Sequence, residues 1–453
     1  MRTVGLIGTL AEFVSGLDAA TLPARVIEHT KMHILDAIGA MLAGPQTAEG
    51  IAITGLCETL DEPSARPVLG HGIKTSLARA IFAECAAARC TEIDDIHLES
   101  CTTPGSVVVP TALSLASSGD IKNGSDLITA VVAGYELMIR MGLAVEGPRV
   151  LYEGIWPTYT STPVAAAATT ARALKLDGAV TAHALAIALT MTSGVSGRIR
   201  TGLSSRWITL GAAAESGFMA AFAANNGFAG DEAVLDRDSG PMASLLTAKA
   251  RLVKDLGSEF LIGNTSLKPY PSARQALSGI EVFRGILSTH DIEPRTIDEV
   301  VVRVPGSFVG MIGNADLPMS RLESIVGLQY QMALAAFYPE VLFDVNREFL
   351  PDDQEIIDFM KKVRVRRSEE LEKEYPRIWP ARVEVRCGSN TYASEMLRLI
   401  WDSAEELGWE EIEAKFGRVA GPIVGKELAG HLVESVRNLD TLENVAGLVD
   451  LLS

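Results

Sequence analysis

The sequence predicts a mainly α-helical protein with a large all-helical domain and a smaller α+β domain. Up to about residue 264 it is rich in Ala, Leu, Gly and Thr, and apolar residues recur at helical spacing. After residue 265, two segments alternate branched apolar and polar residues as strands do, namely IDEVVVRVPG (297–306) and ARVEVRCGSNTYASEM (381–396). The 453 residues exceed one ordinary hydrophobic core, so more than one domain is expected.

Helical segments follow one another through the first part of the chain. ARVIEHTKMHILDAIGAMLAG places apolar residues at helical spacing and stops at Gly44. The same pattern recurs in KTSLARAIFAECAAARCTEIDD, GSDLITAVVAGYELMIRMGLAV, TPVAAAATTARALKLDG, GAVTAHALAIALTMTSG and LGAAAESGFMAAFAANNGFAG. Many alanines and glycines let such helices approach closely, which predicts a packed all-helical domain.

The second part of the chain mixes strands and helices. Between the two strand-like segments lie the helical ESIVGLQYQMALAAFY and the charged DDQEIIDFMKKVRVRRSEELEKEY. The tail is helical again, in SAEELGWEEIEAKFGRVAG and ELAGHLVESVRNLDTLENVAGLVDLL. We therefore expect an all-helical domain over 1–264, completed by 396–453, and a smaller α+β domain over 265–395.

Composition narrows the class of function. The 40 basic and 57 acidic residues give a formal net charge of −17, which argues against a nucleic-acid-binding surface. The five cysteines form no C-x-x-C pair, which fits a reducing compartment, and the N-terminus lacks the apolar core of a signal peptide. No glycine-rich phosphate loop, HExxH or G-x-S-x-G motif occurs. We expect a soluble, cytoplasmic protein without cofactor or metal, and with neither nucleic acid nor membrane as a partner.

Four segments share one design, in which a loop of hydroxyl or basic residues leads into a helix of small residues. They are SCTTPGSVVVPTALSLASS (100–118), GIWPTYTSTPVAAAATTARAL (154–174), SSRWITLGAAAESGFMAAFAA (204–224) and SLKPYPSARQALSGIEVF (266–283). Thr162 before Pro163 is the expected N-cap of the second helix, and Ser272 that of the fourth.

These helix starts are candidate anion sites. Their unpaired N–H groups and partial positive charge suit a carboxylate or phosphate. Arg206, Lys268 and Arg274 would add counter-charges for a polyanionic small molecule. The alternative is ordinary capping, since any helical protein has such starts.

The segment EIDDIHLES (92–100) is a compact cluster of titratable residues. A helix from about residue 75 should end near Cys90–Glu92, which sets Asp94 and Asp95 beyond a helix C-terminus, where an ionised carboxylate is disfavoured. The pair is therefore a candidate general acid or base, or else a solvated turn. His97 is a candidate proton shuttle or a packed histidine that orients an aspartate. The spacing is too sparse for a metal site.

Taken in order, eight segments resemble the MmgE/PrpD family of dehydratases, decarboxylases and epimerases. They are DAIGAMLAG (36–44), EIDDIHLESCTTPGSVVVPTALSLA (92–116), GYELMIRMG (134–142), GIWPTYTSTPVAAAATTARALKLD (154–177), ALAIALTMTSG (184–194), LGAAAESGFMAAFAANNGFAG (210–230), SLKPYP (266–271) and IVGLQYQMALAAF (325–337). The resemblance implies a large helical domain and a smaller α+β domain. It also implies a homodimer, a site between the domains and no cofactor.

The presumed site departs from the family pattern. Non-histidine residues stand at four positions where histidine is common in the family: Thr103, Trp156, Thr209 and Leu277. Arg206 replaces a usual lysine and Ala273 a common cysteine, whereas Asp94, Asp95, His97, Lys268 and Tyr270 match. Because Trp156 fills space and offers one donor, the substrate should differ from the usual tricarboxylates.

The resemblance implies an enzyme that moves a proton at a carbon next to a carboxylate. We expect a cofactor-independent lyase (hydro-lyase) or isomerase acting on a small carboxylic acid by dehydration, isomerisation or epimerisation. The alternatives are a non-catalytic carboxylate-binding pseudoenzyme and a biosynthetic decarboxylase or cyclase. The candidate catalytic residues are Asp94, His97, Lys268, Tyr159 and Tyr270; the candidate substrate-binding residues are Asp95, Thr103, Trp156, Thr158, Arg206 and Arg274.

Overall fold

Two compact units make up the chain. The computed structural model describes residues 5–60, 66–192, 204–347, 352–394, 398–403 and 406–453. Among these described residues, those up to 192, those over 204–267 and those from 403 onward form the first unit, and those over 268–402 form the second. The sequence predicts domain boundaries at residues 264 and 395, and this division places them at residues 267 and 402. Helices dominate and the described sheets are small, so the predicted mainly α-helical class is confirmed.

The first unit is built from consecutive helices. In chain order they are α1 (Leu6–Gly16), α2 (Ala24–Ala43), α3 (Ala48–Leu60), α4 (Leu77–Cys90), α5 (Gly105–Ser117), α6 (Gly124–Ala144), α7 (Gly147–Val150), α8 (Pro157–Ala173), α9 (Gly178–Thr190), α10 (Ser205–Asn225) and α11 (Pro241–Leu245). Side chains of Ser76, Asn123 and Asp177 cap α4, α6 and α9 by accepting from backbone N–H groups.

Close helix packing explains the alanine and glycine content of this unit. Helix α8 packs on both α6 and α10, and α10 also packs on α4 and α9. A Cβ atom at Gly134 would lie 2.2 Å from Oγ1 of Thr169, and one at Gly217 would lie 2.1 Å from the carbonyl of Pro163. Larger residues at these crossings would force the helices apart.

Two described helices, α6 and α10, are long and apolar enough to cross a membrane by length and composition alone. The apolar window of α6 is entirely buried within the protein, and that of α10 is 56% buried. Burial in a helical core accounts for the composition of α6 without a lipid environment.

The predicted cap of the second hydroxyl-rich segment is wrong. Helix α8 begins at Pro157 after Trp156, so Thr162 and Pro163 lie inside it. The hydroxyl of Thr162 donates to the carbonyl of Thr158 (2.7 Å). Two prolines in this stretch each suit a first helical position, and the chain uses the earlier one.

Two short antiparallel ladders join loops of the first unit. They are β1 (Arg66–Pro67) with β2 (Lys74–Thr75), and β3 (Ile96–His97) with β4 (Thr265–Ser266). The second ladder ties the loop after α4 to the end of the 204–267 segment, more than 160 residues further along the chain.

The second unit is a four-stranded sheet with helices. Its helices are α12 (Arg274–His290), α13 (Gly306–Ile312), α14 (Arg321–Val326), α15 (Leu328–Phe337), α16 (Gln354–Met360) and α17 (Glu369–Glu372). Its strands are β5 (Glu299–Val304), β6 (Val363–Arg367), β7 (Arg382–Cys387) and β8 (Asn390–Ala393), in the order β6-β5-β7-β8. Only β5 and β6 pair in parallel among these strands. Alternate residues of β5 are buried, as the sequence pattern predicts.

The predicted cap of α12 is also wrong. The helix begins at Arg274, so its N-cap residue is Ala273 and not Ser272. No described side chain caps this helix start by a hydrogen bond. The hydroxyl of Ser272 instead donates to the carbonyl of Ala273 (3.1 Å).

The tail returns to the first unit as three helices, α18 (Trp409–Val424), α19 (Lys426–Arg437) and α20 (Ala446–Asp450). Both α18 and α19 pack on α2. The ammonium of Lys415 donates to Asp36 on α2 and to the carbonyl of Ile93 (3.0 Å). The tail thereby helps to hold the loop that follows α4.

Candidate active site

An arginine and two carboxylates meet where α4 ends. Arg89 lies in the last turn of α4, and its Nη1 atom is 3.0 Å from Oε2 of Glu92 and 3.1 Å from Oδ1 of Asp94. Glu92 has a left-handed backbone (φ 60°), which turns the chain back across the helix end. The three side chains are at most 7% exposed.

A second arginine joins this group from α10. Nη2 of Arg206, in the first turn of α10, donates to Oε1 of Glu92 at 2.6 Å. Glu92 therefore bridges two guanidinium groups. We call Arg89, Glu92, Asp94 and Arg206 the arginine–carboxylate cluster. The sequence analysis predicted Arg206 as a counter-charge for an anionic small molecule; in the structure its partner is a carboxylate of the protein itself.

The indole of Trp207 supports both guanidinium groups. The Arg206 guanidinium carbon lies 3.9 Å from the Trp207 ring centroid, and that of Arg89 lies 5.5 Å away. Burial lowers the pKa of Arg206, and the charge of Glu92 opposes that change. Burial also lowers the pKa of Arg89, but Asp94 and Glu92 outweigh it and raise the pKa above its ordinary value. Both groups stay charged near neutral pH.

The start of α5 faces the two aspartates. The Ser106 hydroxyl donates to Oδ2 of Asp94 (3.1 Å), and the Gly105 N–H donates to Oδ1 of Asp95 (2.8 Å). We predicted that these carboxylates lie beyond a helix C-terminus, and they do follow α4. They also lie against a helix N-terminus, which favours a carboxylate.

Asp95 has further polar contacts inside the first unit. Its Oδ2 accepts from the Tyr135 hydroxyl (2.7 Å) and lies 2.9 Å from Nδ1 of His33. Burial is the main cause that raises the pKa of Tyr135 well above its ordinary value, with the charge of Asp95 adding to it. With two hydrogen-bond donors and the His33 ring around it, Asp95 is placed to hold the loop against α2, α5 and α6.

Tyr159 is a buried phenol in the first turn of α8. It is 1% exposed, and its hydroxyl has no hydrogen-bond partner among the described residues. Burial raises its pKa to about 12, while the positive charges of Arg206 and Arg89 act against that rise. Its ring stacks on Trp156, with centroids 5.7 Å apart and planes 18° from parallel. The phenol is thus a protonated donor, within electrostatic reach of the cluster, that no described protein group uses.

His97 is a neutral, packed histidine. Burial lowers its pKa to about 4, and the nearby charge of Arg251 acts in the same direction. Its Nδ1 accepts from the Ser100 N–H (3.2 Å), which places the ring hydrogen on Nε2. His97 also pairs with Thr265 across the β3–β4 ladder.

Thr103 and Thr158 bind each other. The Thr103 N–H donates to Oγ1 of Thr158 (3.2 Å), and the two hydroxyl oxygens are 3.3 Å apart. Thr158 also donates to the carbonyl of Cys101 (3.4 Å). The pair ties the start of α8 to the loop before α5.

Three of the predicted site residues belong to the second unit. The Tyr270 hydroxyl donates to Oε1 of Glu281 (2.8 Å), and burial raises its pKa well above the ordinary value. Arg274 pairs with Asp402 and donates to the Ser278 hydroxyl (3.2 Å). Lys268 is buried two residues after β4.

The sequence reasoning missed Arg89 and Glu92, which carry most of the cluster's contacts. The signal was an arginine in the otherwise small-residue run AAARCTE, three residues before a glutamate. A charge inside a buried helix needs a partner, so this spacing could have identified the pair. No group of three or more metal-ligating side chains occurs among the described residues.

The described geometry offers two fixed positive charges, carboxylates held by hydrogen bonds, and one unused phenol donor. Such a set can bind an anionic small molecule and stabilise charge that develops on it. It defines a helical protein with a buried polar site formed by the starts of α5, α8 and α10 and the end of α4.

The chain belongs to the MmgE/PrpD family. The MmgE/PrpD N-terminal domain matches residues 8–252, and the MmgE/PrpD C-terminal domain matches residues 270–441. The cis-aconitate decarboxylase of Aspergillus terreus is 24% identical over 474 residues, covering 99% of this chain and 96% of that protein. The cis-aconitate decarboxylase-like protein oryM of Aspergillus oryzae is 23% identical (98% and 96%), as is human cis-aconitate decarboxylase (100% and 95%).

Proposed function

We propose that the protein is a cofactor-independent lyase or isomerase that moves a proton at a carbon next to a carboxylate of a small acid. The observation that carries this proposal is the unused, buried hydroxyl of Tyr159 beside the arginine–carboxylate cluster. A buried donor without a protein partner is unfavourable for stability, and such groups concentrate at functional sites. Family membership supports an enzyme of this class.

In this proposal the arginines bind the substrate carboxylate. Arg206 and Arg89 are permanent charges that suit bidentate binding of a carboxylate, and they are poor bases. Fixed donors in a buried site need no reorganisation when negative charge develops on the substrate. Their role is to bind the ground-state anion and to stabilise the enolate that follows proton removal.

Tyr159 would act as the acid. With a pKa near 12 it keeps its proton at neutral pH, so it can donate to an enolate oxygen or a departing hydroxyl and cannot serve as the base. Asp94 is the candidate base in the first unit, because its carboxylate belongs to the arginine–carboxylate cluster, where Ser106 and Arg89 fix its position. Lys268 of the second unit remains the other candidate base or carboxylate ligand.

Decarboxylation is the second candidate. Two relatives that this chain matches over nearly their whole length are named cis-aconitate decarboxylase, which favours this reaction. In that reaction the electron pair of the breaking C–C bond stays on the substrate, and a proton must be delivered to it. Tyr159 would again be the donor, whereas dehydration would also need a base.

Product mass distinguishes these reactions. Purified protein is incubated with di-, tri- and hydroxycarboxylic acids in deuterated water, and the products are weighed by mass spectrometry. Loss of water indicates a dehydratase, and loss of carbon dioxide a decarboxylase. Deuterium uptake without loss indicates an isomerase or epimerase. Carboxylates that raise the melting temperature but never exchange or react would establish the pseudoenzyme and contradict catalysis.

Tyr159→Phe tests the assigned donor. We expect turnover to fall about a hundredfold or more, because the general acid is lost while the ring and its stacking remain. The melting temperature should hardly change, since the hydroxyl has no described partner to lose. Tyr392→Phe, in β8 of the second unit, is the matched control and should keep full activity. Unchanged turnover in Tyr159→Phe would remove this residue from the mechanism.

A further inference from the structure

Glu92 occupies the atoms that a substrate carboxylate would be expected to use. Its Oε1 accepts from Nη2 of Arg206 (2.6 Å), and its Oε2 lies 3.0 Å from Nη1 of Arg89. A carboxylate that bridges two guanidinium groups is how a protein commonly holds a bound acid. Here the bridging acid is part of the chain.

The surrounding groups keep this internal carboxylate in place. Its backbone is left-handed, which fixes the direction of the side chain at the turn after α4. Trp207 lies under both arginines and limits how far they can move. Arg206 is drawn to Glu92 from α10, 114 residues away in sequence, so the contact is a feature of the tertiary structure.

Donors remain in the cluster for a ligand even with Glu92 in place. The Nε atoms of Arg89 and Arg206 and the hydroxyl of Tyr159 are buried and have no hydrogen-bond partner among the described residues. A single carboxylate or enolate could use these donors. Each further carboxylate would face the negative charge of Glu92 and would compete with it for the arginines.

We propose that Glu92 is a specificity-determining residue whose carboxylate competes with the substrate for Arg206 and Arg89 and selects acids with few carboxylate groups. This inference rests on the proposed function, because it takes the arginine–carboxylate cluster as the substrate site. It narrows the substrate class to monocarboxylates, or to dicarboxylates whose second acid group lies away from the cluster. Repulsion against the more highly charged acids is the source of the selectivity.

Binding of unreactive acids tests the inference without turnover. The probes are propionate, succinate and tricarballylate, which carry one, two and three carboxylates and have no double bond or hydroxyl to eliminate. Dissociation constants are measured by calorimetry at neutral pH for the wild-type protein and Glu92→Gln. The glutamine keeps the shape and the backbone conformation of the site but removes the charge.

We expect the wild-type protein to prefer the probe with the fewest carboxylates. In Glu92→Gln the affinity for succinate and tricarballylate should rise about tenfold or more relative to propionate, as expected for freeing charge-assisted hydrogen bonds. Glu99→Gln is the matched control. Glu99 lies in the same loop as Glu92, but its ion pair with Arg251 is exposed, so the variant removes one negative charge away from the cluster. That variant should leave the ratios unchanged.

Equal ratios in wild type and Glu92→Gln would overturn the inference, and so would failure of every probe to bind either protein. If Glu92→Gln does not fold, Glu92→Asp replaces it, because the shorter side chain draws the charge away from Arg206 and should shift the ratios in the same direction. The proposed function is tested separately, by turnover. If binding shifts as expected but no reactive acid is turned over, the selectivity of the site is supported and the proposed catalysis is contradicted.

Discussion

Glu84 is a buried carboxyl group that accepts hydrogen bonds from neutral donors, whereas Glu92 and Asp94 of the arginine–carboxylate cluster pair with arginines. It lies on α4, 1% exposed, and accepts from the Ser114 hydroxyl (2.6 Å) and the Leu69 N–H (2.8 Å). Burial raises its pKa from 4.5 to about 8, and the two hydrogen bonds act against that rise. At neutral pH the folded protein therefore carries this residue largely as the uncharged acid.

This shift makes stability depend on pH. Between about pH 4.5 and pH 8 the folded state holds the Glu84 proton and the unfolded chain releases it. Stability from this group is complete below pH 4.5 and is lost as pH rises toward 8, by about 1.4 kcal/mol per pH unit. Glu84→Gln mimics the protonated form, so its free energy of unfolding should fall less over this range. The measurement is urea unfolding at several pH values; parallel pH profiles would contradict the assignment.

The loop after α4 shows how single residues hold the candidate site. Glu92 (φ 60°) and Cys101 (φ 54°) both have left-handed backbones within it, and each such conformation costs a non-glycine residue on the order of 1 kcal/mol. The network around Asp95 fixes the loop between these two turns. The strain is thus placed next to the acidic residues that the proposed chemistry needs.

Among the helices, α8 and α10 each place one residue of the candidate site in their first turn. Tyr159 is in the first turn of α8 and Arg206 in the first turn of α10. The two helices touch at Gly217, where a Cβ atom would lie 2.1 Å from the carbonyl of Pro163 and 2.8 Å from Cβ of Ala166. Their separation therefore affects the distance between the Tyr159 phenol and the Arg206 guanidinium.

Gly217→Ala should loosen this crossing. We expect the free energy of unfolding to fall by about 1–3 kcal/mol, because a backbone carbonyl must move to admit the methyl group. The control is Gly417→Ala on the exposed side of α18, where nothing lies within 4 Å of the new Cβ atom. That change should stabilise by about 0.5–1 kcal/mol through helix propensity alone. Thermal unfolding compares them, and equal shifts in the two variants would refute the packing argument.

At the scale of the whole molecule, the C-terminal tail forms part of the first unit and packs on α2. Lys415 on α18 donates to Asp36 on α2, 379 residues earlier, and to the carbonyl of Ile93. Both side chains of this ion pair are 3% exposed. Burial raises the pKa of Asp36, and the charge of Lys415 acts against it.

Removing Lys415 should lower the free energy of unfolding, because the Asp36 carboxylate stays buried. Lys415→Met leaves the Asp36 carboxylate buried without its cation, and we expect a loss of about 3–5 kcal/mol. Adding Asp36→Asn should recover part of that loss, because the uncharged amide needs no counter-ion. The double-mutant cycle is measured by denaturant unfolding. Additive losses would show that the pair does not link the tail to α2.

Some of the second unit could be predicted from pattern and some could not. Alternation in IDEVVVRVPG predicted β5, and ARVEVRCGSNTYASEM predicted β7 and β8. Strand β6 was missed because VRVRR is read as part of a charged run. It lies at the edge of the sheet, where charged residues are tolerated and discourage pairing with another chain.

The sequence by itself determined the helical periodicity of the first unit, the change of texture near residue 265 and the membership of the family, because these depend on local pattern and on the order of motifs. Only the tertiary structure decided whether α8 begins at Pro157 or at Pro163, and which charged side chains pair. Arg206 and Glu92 are 114 residues apart, and Lys415 and Asp36 are 379 apart. Such pairings follow from the packing of whole helices, which no local window of sequence contains.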